Sequence, residues 1–421
     1  MTDIVEELKW RGLIALSTDE EALRKAFADG PVTFYCGFDP TAPSLHMGNL
    51  VQLITMRRIQ DAGNLPLGLV GGSTGLIGDP KPNAERTLNS KETVAEWVEK
   101  LRGQVGNILD FEGEFAARIV NNLDWTAPIS AIDFLREIGK HFRVGKMLSK
   151  DAVAARLNSD AGISYTEFSY QILQSLDFLE LYRQYGCTLQ TGGSDQWGNL
   201  TAGTDLIRRV EGAAAHLLAT PLLTTAAGEK LGKSTGGGSL WLAPEMTSPY
   251  ALYQYLLNVE DAIVVGLLKK LTFLSHEELD AIEKETADRP SARVAQRRLA
   301  DEVTRLVHGD GETDQAITAA QALFGRGSLD GLSASTLRAA LSEAGLATVS
   351  PDATVTELFQ ASGLASSRNE ARRTVAEGGA YVNNERVSDA DAVIPADRLL
   401  PGSLLVLRRG KKTVAGVFVS R

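Results

Sequence analysis

Two cysteines and five histidines in 421 residues leave little for covalent or metal-centred chemistry. Cys36 and Cys187 make no disulfide framework, and so few thiols suit a reducing compartment. No cluster carries metal-ligand spacing and no Ser/His/Asp constellation is legible, so no tightly bound, protein-ligated metal is expected. No apolar run approaches a membrane span. The opening MTDIVEELKWRGLI is acidic where a secretory signal would be basic and then apolar. The expected setting is cytoplasmic, with no membrane partner. Internal repeats and low-complexity tracts are absent too.

Positive charge is also short. A net charge of −10 excludes a chain whose whole surface grips nucleic acid. The deficit is uneven. From Asp352 to Arg421 ten Lys/Arg face eight Asp/Glu, while the rest holds 33 against 45. A mildly basic tail on an acidic body points to a polyanion contact in the tail. The length and an apolar fraction of 43% allow two or three domains.

What is present is concentrated in residues 35–50, YCGFDPTAPSLHMGNL. An apolar strand-like run, Val32 to Cys36, breaks at Gly37 and Pro40 and restarts as a helix at His46. Met47, Leu50, Val51 and Ile54 fall at i, i+3, i+4 and i+7, one face of an amphipathic helix. Strand, turn and helix N-terminus is the layout of a phosphate site, because exposed N–H groups and the helix dipole favour an anion there. A second cationic element follows at Lys230-Leu231-Gly232-Lys233-Ser234, with Thr235 and three glycines after it. Such a loop closes on a phosphate leaving group and stabilises developing charge. Alone, it reads equally as a surface loop with solvated lysines.

Up to about Leu242 short strands alternate with helices. Strands are expected at 33–37, 66–70, 118–121 and 187–190, and helices at 50–62 and 131–139. The alternation implies a parallel α/β sheet, whose ligands sit beyond the carboxyl ends of the strands. Three strands run into GFDPTAPS, GGSTGLIGDP and TGGSDQWGN, loops that would share one sheet edge. From Ser248 to about Ala347 the pattern is helical, with helices expected at 250–257, 262–271, 277–285 and 291–307. Residues 341–354 read as a linker. A compact α+β module follows, with helices at 355–364 and 368–377 and strands at 380–382, 404–407 and 413–419.

HMGN resembles the HIGH motif, and KLGKS the KMSKS motif, of class I aminoacyl-tRNA synthetases. YCGFDPTA, SYTEFSYQILQSLDF and GGSDQWGN resemble the bacterial tyrosyl-tRNA synthetase family in particular. SRNEARRTVAEGGAYVNNERV resembles a small RNA-binding domain shared with a ribosomal small-subunit protein. The chain departs from these patterns at Asn49, at Leu231-Gly232 and at Lys81-Pro82-Asn83. The resemblance implies a Rossmann-like catalytic domain at 1–245, an α-helical tRNA-binding domain at 246–347 and an α+β RNA-binding domain at 352–421.

It also implies a reaction. L-Tyrosine attacks ATP to give tyrosyl adenylate and pyrophosphate, and tyrosine then passes to the terminal adenosine of tRNA(Tyr). A carboxylate is already ionised at neutral pH, so the first step needs no general base and rests on positioning and charge stabilisation. Mg²⁺ would arrive with ATP. Thr41, His46 and Asn49 would hold ATP from one side and Lys230, Lys233 and Ser234 from the other. Gly37, Gly48 and Gly193 would let the nucleotide approach the backbone. Asp195 suits a ribose diol or an Asx turn, and Asp39 an adenylate contact or a turn. Asp79, Tyr170 and Gln174 are acceptors for the substrate amine, Tyr35 and Asp177 read the phenol, and Gln196 faces the amino acid or adenylate. Tyr170, Gln174 and Asp177 share a helical face, which a solvated surface would also produce. Gly71, Gly72 and Gly75 allow close backbone approach or packing. Cys36 reads as a small buried residue, and His141 and His308 as structural or solvated. Arg368, Arg372, Arg373, Arg408 and Arg409, with Lys411 and Lys412, are either phosphate contacts or solvated charges. The family implies a homodimer. The rival readings are a tryptophanyl enzyme, a small-molecule nucleotidyltransferase and a non-catalytic RNA-binding protein.

Overall fold

The computed structural model describes residues 3–81, 84–159, 162–232, 238–325, 327–410 and 413–420. Its contacts divide the chain into two compact units, Met1–Ala243 with Val265–Leu279, and Pro244–Val264 with Asp280–Arg421.

The first unit is built on a six-stranded sheet of order β1-β6-β5-β2-β3-β4. Its strands are β1 (Leu16–Ser17), β2 (Thr33–Phe38), β3 (Leu65–Val70), β4 (Arg118–Asn121), β5 (Leu189–Gly193) and β6 (His216–Thr220). Only β1 pairs antiparallel; β6, β5, β2, β3 and β4 are mutually parallel. Phe34, Tyr35 and Cys36 of β2 are all buried, as a parallel sheet covered on both faces demands. β3 and β4 build outward from one side of β2, and β5 and β6 from the other. The chain therefore reverses its winding between β2 and β5, and a crevice opens beyond their carboxyl ends. β1 and β6 lie outside the strands expected from sequence.

Two helices bring the side chains to that edge. Met47–Asp61 starts at His46, and its apolar face is buried. Tyr165–Tyr185 starts at Ser164, whose hydroxyl accepts from Glu167 N, and stops at Gly186 in the left-handed conformation. Its inner face joins Tyr35, Leu67, Leu69, Trp125, Ile172, Leu176 and Phe178 in one core. The stretch expected as a regular helix over 131–139 is instead an α turn at Ala131–Asp133, a π turn at Phe134–Ile138 and a 3₁₀ turn at Gly139–His141.

In the second unit the helix expected over 291–307 is Val294–Ala322, broken at Gly309, whose backbone is non-helical. The expected linker is not one. Its start is the end of helix Ala334–Ala344, and its middle is β7 (Leu346–Val349). β7 pairs in parallel with β11 (Thr413–Val419), at the edge of a five-stranded sheet of order β7-β11-β10-β8-β9. The other strands are β8 (Ala380–Val382), β9 (Glu385–Arg386) and β10 (Leu404–Arg409). A four-residue strand paired across the whole module has no local signature, which is why it reads as a connection.

Candidate active site

A cavity of about 340 Å³ occupies the crevice beyond β2 and β5. Every described residue of the expected tyrosine and nucleotide sets lines it, from Tyr35 to Lys230. Lys233 and Ser234 lie outside the described residues.

The end expected to take phosphate starts with backbone chemistry. His46 is the N-cap of helix Met47–Asp61: its Nδ1 accepts from Gly48 N at 3.0 Å, while its own N–H donates to Asn49 Oδ1 at 3.0 Å. The Asn49 carbonyl thus closes a capping box, and its amide NH₂ is left as the donor. Because Nδ1 is an acceptor, the neutral imidazole carries its proton on Nε2. Burial holds the His46 pKa below the usual histidine value, and Lys230 adds to the effect. His46 is therefore a neutral hydrogen-bond donor at pH 7. Thr41 is exposed at the cavity wall.

Lys230 faces this helix start. Its side chain is 52% exposed, and its ammonium stands 4.0 Å from Asp195. The unusual Leu231-Gly232 pair is seated, not loose. Leu231 is buried and donates its N–H to Leu223 O at 2.8 Å. Gly232 has φ +90°, and a Cβ there would lie 3.2 Å from Met47 Cβ, so a side chain would press on the first helical residue. Leu240 closes the arrangement, donating to Gly232 O at 2.7 Å and accepting from Met47 N at 3.1 Å.

The opposite end, expected to take the amino acid, is a hydrogen-bonded floor. Trp125 Nε1 and Asn122 Nδ2 donate to the two oxygens of Asp177, at 2.9 and 3.0 Å. Asn122 also donates to Thr74 Oγ1 at 2.9 Å. Thr74 donates to Asp39 Oδ1, and the Tyr170 hydroxyl to Asp39 Oδ2, both at 2.6 Å. The Asp39 carboxylate is thereby a member of this network, not a turn cap. Gly71 makes room for it: a Cβ would fall 2.1 Å from Asp39 Oδ1 and 2.3 Å from Thr74 Oγ1. Gly72 and Gly75 press in the same way on Asn121 and Pro40. All three glycines pack against protein atoms.

Asp177 is 2% exposed, and burial pushes its carboxyl up to about 8 despite its two donors. Tyr35 is 1% exposed, and its hydroxyl has no hydrogen-bond partner among the described residues. Gln174 Oε1 is likewise buried and unpaired. Orphaned buried polar atoms are costly unless a ligand completes them. Asp79 accepts from Gln196 Nε2 at 3.1 Å and Asn199 Nδ2 at 3.2 Å. The buried Cys36 thiol is pushed up to about 12, so it stays protonated and is no nucleophile. No group of three metal-ligating side chains occurs among the described residues.

Several lining or supporting residues were not expected: Thr74, Asn122, Trp125 and Arg86. Thr74 lay inside a quoted glycine-rich loop. Asn122 and Trp125 are 55 and 52 residues from Asp177 and carry no local signal toward it.

In the C-terminal module the five arginines separate. Arg368, Arg372 and Arg373 are exposed on helix Arg368–Ala376, in ion pairs with Glu357, Asp391 and Glu377. Arg408 is 9% exposed, lies 4.2 Å over the Tyr381 ring and donates to Gly410 O at 2.9 Å. Arg409 donates to Glu370 at 2.7 Å and to Leu364 O at 2.9 Å. Arg408 is thereby taken up in packing the module, while the Arg409 side chain stays 39% exposed beside Glu370. Lys411 and Lys412 lie outside the described residues. The histidines set aside earlier differ: His308 is pushed down to about 4 by burial, and His141 is lowered by partial burial and nearby cations.

The family model of class I tRNA synthetases (W and Y) matches residues 28–325. The tyrosine–tRNA ligase SYY-like C-terminal domain matches residues 339–416. The tyrosine–tRNA ligase of Streptomyces avermitilis is 66% identical over 421 residues, covering all of both chains. That of Corynebacterium glutamicum is 56% identical, covering 99% of each. Among solved structures, a C-terminally truncated mitochondrial tyrosyl-tRNA synthetase of Coccidioides posadasii is 33% identical, with a TM-score of 0.67 over 75% of this chain and 91% of that one. With its winding reversal, its two-ended cavity and these full-length relatives, the chain belongs to the bacterial tyrosyl-tRNA synthetases of class I.

Proposed function

We propose that this protein joins L-tyrosine to tRNA(Tyr) in two steps, through tyrosyl adenylate. The observation that carries this reading is the closed end of the cavity. An unpaired, buried Tyr35 hydroxyl there sits with a buried Asp177 carboxyl, and the Asp177 charge raises the Tyr35 pKa further. A phenol supplies one donor and one acceptor and completes both groups; a phenylalanine ring leaves them unpaired. Tyr170, Gln174 and Asp79 take the ammonium, with Gln196 holding Asp79 in place.

The substrate carboxylate then faces the α-phosphorus of ATP. It attacks as an ionised group, and pyrophosphate leaves. His46 Nε2–H, the Asn49 amide and the Thr41 hydroxyl donate to the nucleotide from the helix side. Lys230 draws off the negative charge that grows on the leaving group, and Lys233 and Ser234 join it. Asp195 accepts from the ribose, with Gly37, Asp39, Gly48 and Gly193 bordering the nucleotide. Magnesium would enter with ATP and supply positive charge to the phosphates. In the second step the terminal hydroxyl of tRNA attacks the acyl carbonyl and AMP leaves.

The functional division we propose is catalytic at 1–245, tRNA-binding at 246–347 and RNA-binding at 352–421. Arg368, Arg372 and Arg373 are the candidate phosphate contacts. We place the protein in the cytoplasm as a homodimer, and exposed apolar side chains in the first unit, with Ile132, Val144 and Tyr165 at 70%, 60% and 66%, are in keeping with a dimer contact. ATP–pyrophosphate exchange measured with tyrosine, phenylalanine and tryptophan tests the core of this reading. Tyrosine alone should support fast exchange. Exchange driven by tryptophan, or none with any of the three, would sink it.

A further inference from the structure

The largest fully buried side chain among the described residues is an arginine. Arg156, on helix Asp151–Leu157, is 1% exposed; its partner Glu167 is 2% exposed and 3.1 Å away. A buried ion pair is weak evidence for stability, because desolvation offsets the attraction. Its remaining bonds show what it does instead.

Arg156 Nη1 donates to Ala84 O at 2.7 Å and Lys81 O at 3.3 Å, and Nε donates to Gly162 O at 2.9 Å. Glu167 Oε1 accepts from Arg86 N at 2.9 Å. The pair thus grips the main chain of 81, 84 and 86. From there Arg86 Nε donates to Asp79 O at 2.7 Å. Asp79 and Arg86 line the substrate cavity; Arg156 and Glu167 do not.

A local rule is also broken here. Ser164-Tyr165-Thr166-Glu167 has the spacing of a capping box, in which the glutamate would bond back to the Ser164 N–H. Ser164 does cap Glu167 N, at 3.3 Å, but the carboxylate is turned away to Arg86 and Arg156. Departures from local preference of this kind mark places where another requirement wins. The helix that holds Glu167 also carries Tyr170, Gln174 and Asp177.

We infer that the buried Arg156–Glu167 pair is a positioning device, which sets one cation of the cavity wall, Arg86, against the helix that reads the amino acid, while the Asp79 carboxylate keeps its own donors in Gln196 and Asn199. The inference rests on the tyrosine and ATP reading of the cavity. It assigns the pair no contact with substrate. Its effect falls on the activation step, where small misplacements are amplified, and much less on tyrosine recognition at the closed floor.

The test is steady-state tyrosine-dependent ATP–pyrophosphate exchange, with tyrosine affinity measured separately by equilibrium binding. Arg156→Lys keeps the charge and loses the planar guanidinium whose Nη1 and Nε reach three carbonyls, those of Ala84, Lys81 and Gly162. It should lower kcat/KM for ATP by about 10- to 100-fold while tyrosine affinity shifts less than about threefold. Glu167→Gln keeps an acceptor for Arg86 N–H and should retain more activity than Glu167→Met, which keeps the volume and loses the acceptor, a difference that simple packing would not produce. The double variant Arg156→Met with Glu167→Gln leaves no unpaired buried charge, so it decides the matter where a single variant does not fold. It should show the same split between ATP and tyrosine. Wild-type ATP kinetics in folded variants would overturn the inference, as would an equal loss of tyrosine affinity. No exchange by the unaltered protein would overturn the reading of the cavity itself, and this inference with it.

Discussion

The two ends of the cavity solve different problems with the same residue types. At the end proposed for the amino acid, carboxylates are locked: buried Asp177 and half-buried Asp39 each receive two side-chain donors within the network. At the end proposed for phosphate, the carboxylate and cation are exposed and loosely paired, with Lys230 at 4.0 Å from Asp195. Discrimination between similar side chains needs fixed, desolvated partners, since an unmet buried group carries the penalty. Handling a leaving group needs charge that water can reach and that can be released after the step. The difference teaches where each kind of failure should appear: selectivity at the floor, rate at the mouth.

Removing charge at the mouth should do most. Lys230→Ala is expected to cut the exchange kcat by roughly 10²- to 10³-fold, as loss of one stabilising donor does, with stability within about 0.5 kcal/mol of wild type. Tyrosine affinity should barely move. A variant that loses tyrosine binding to the same degree as rate would erase the distinction between the two ends.

A smaller effect is expected at the floor. Tyr35→Phe deletes a hydroxyl with no partner among the described residues, so the free protein should keep its stability or gain up to about 1 kcal/mol. Preference for tyrosine over phenylalanine should fall by about 1–3 kcal/mol in kcat/KM. Unchanged preference, measured by exchange with each amino acid, would move the phenol reader elsewhere.

The gentlest probe is pH. The folded Asp177 carboxyl is raised from 3.8 to about 8. The native state therefore holds a proton that the unfolded chain has released, and stability from this group declines as pH rises from about 4 toward 8. Asp177→Asn removes the titration. In urea melts across that range, wild type should lose ground to Asp177→Asn by no more than about 1.4 kcal/mol per pH unit, and the difference should level off above pH 8. A flat difference would show that Asn122 and Trp125 keep the carboxylate ionised.

Much of the site was legible because it is carried by loops that follow strands. β2, β3 and β5 are parallel neighbours, so the loops after Phe38, Val70 and Gly193 must meet at one sheet edge. The ends of the cavity were legible unequally. His46 and Asn49 are close in sequence, and helix capping alone organises them. Asn122 and Trp125 reach Asp177 only because β4 and the turn after it fold beside helix Tyr165–Tyr185. The same limit explains the C-terminal arginines. Arg372 and Arg408 are the same residue in a basic tail, but strand register sets Arg408 opposite Tyr381 and turns it into packing.

The amino-acid sequence by itself determined the local parts: a helix start that attracts anions, a cationic loop, and a period-3.6 stripe carrying Tyr170, Gln174 and Asp177. These follow from backbone dipoles and residue spacing, which act over one or two turns of chain. Tertiary structure alone decided which buried groups are paired and which are left open. It satisfied Asp177 and Asp39, left the Tyr35 hydroxyl waiting, joined β7 to β11 and pegged Arg86 through Arg156 and Glu167. Those outcomes depend on desolvation and on partners tens of residues away, and no local pattern encodes either.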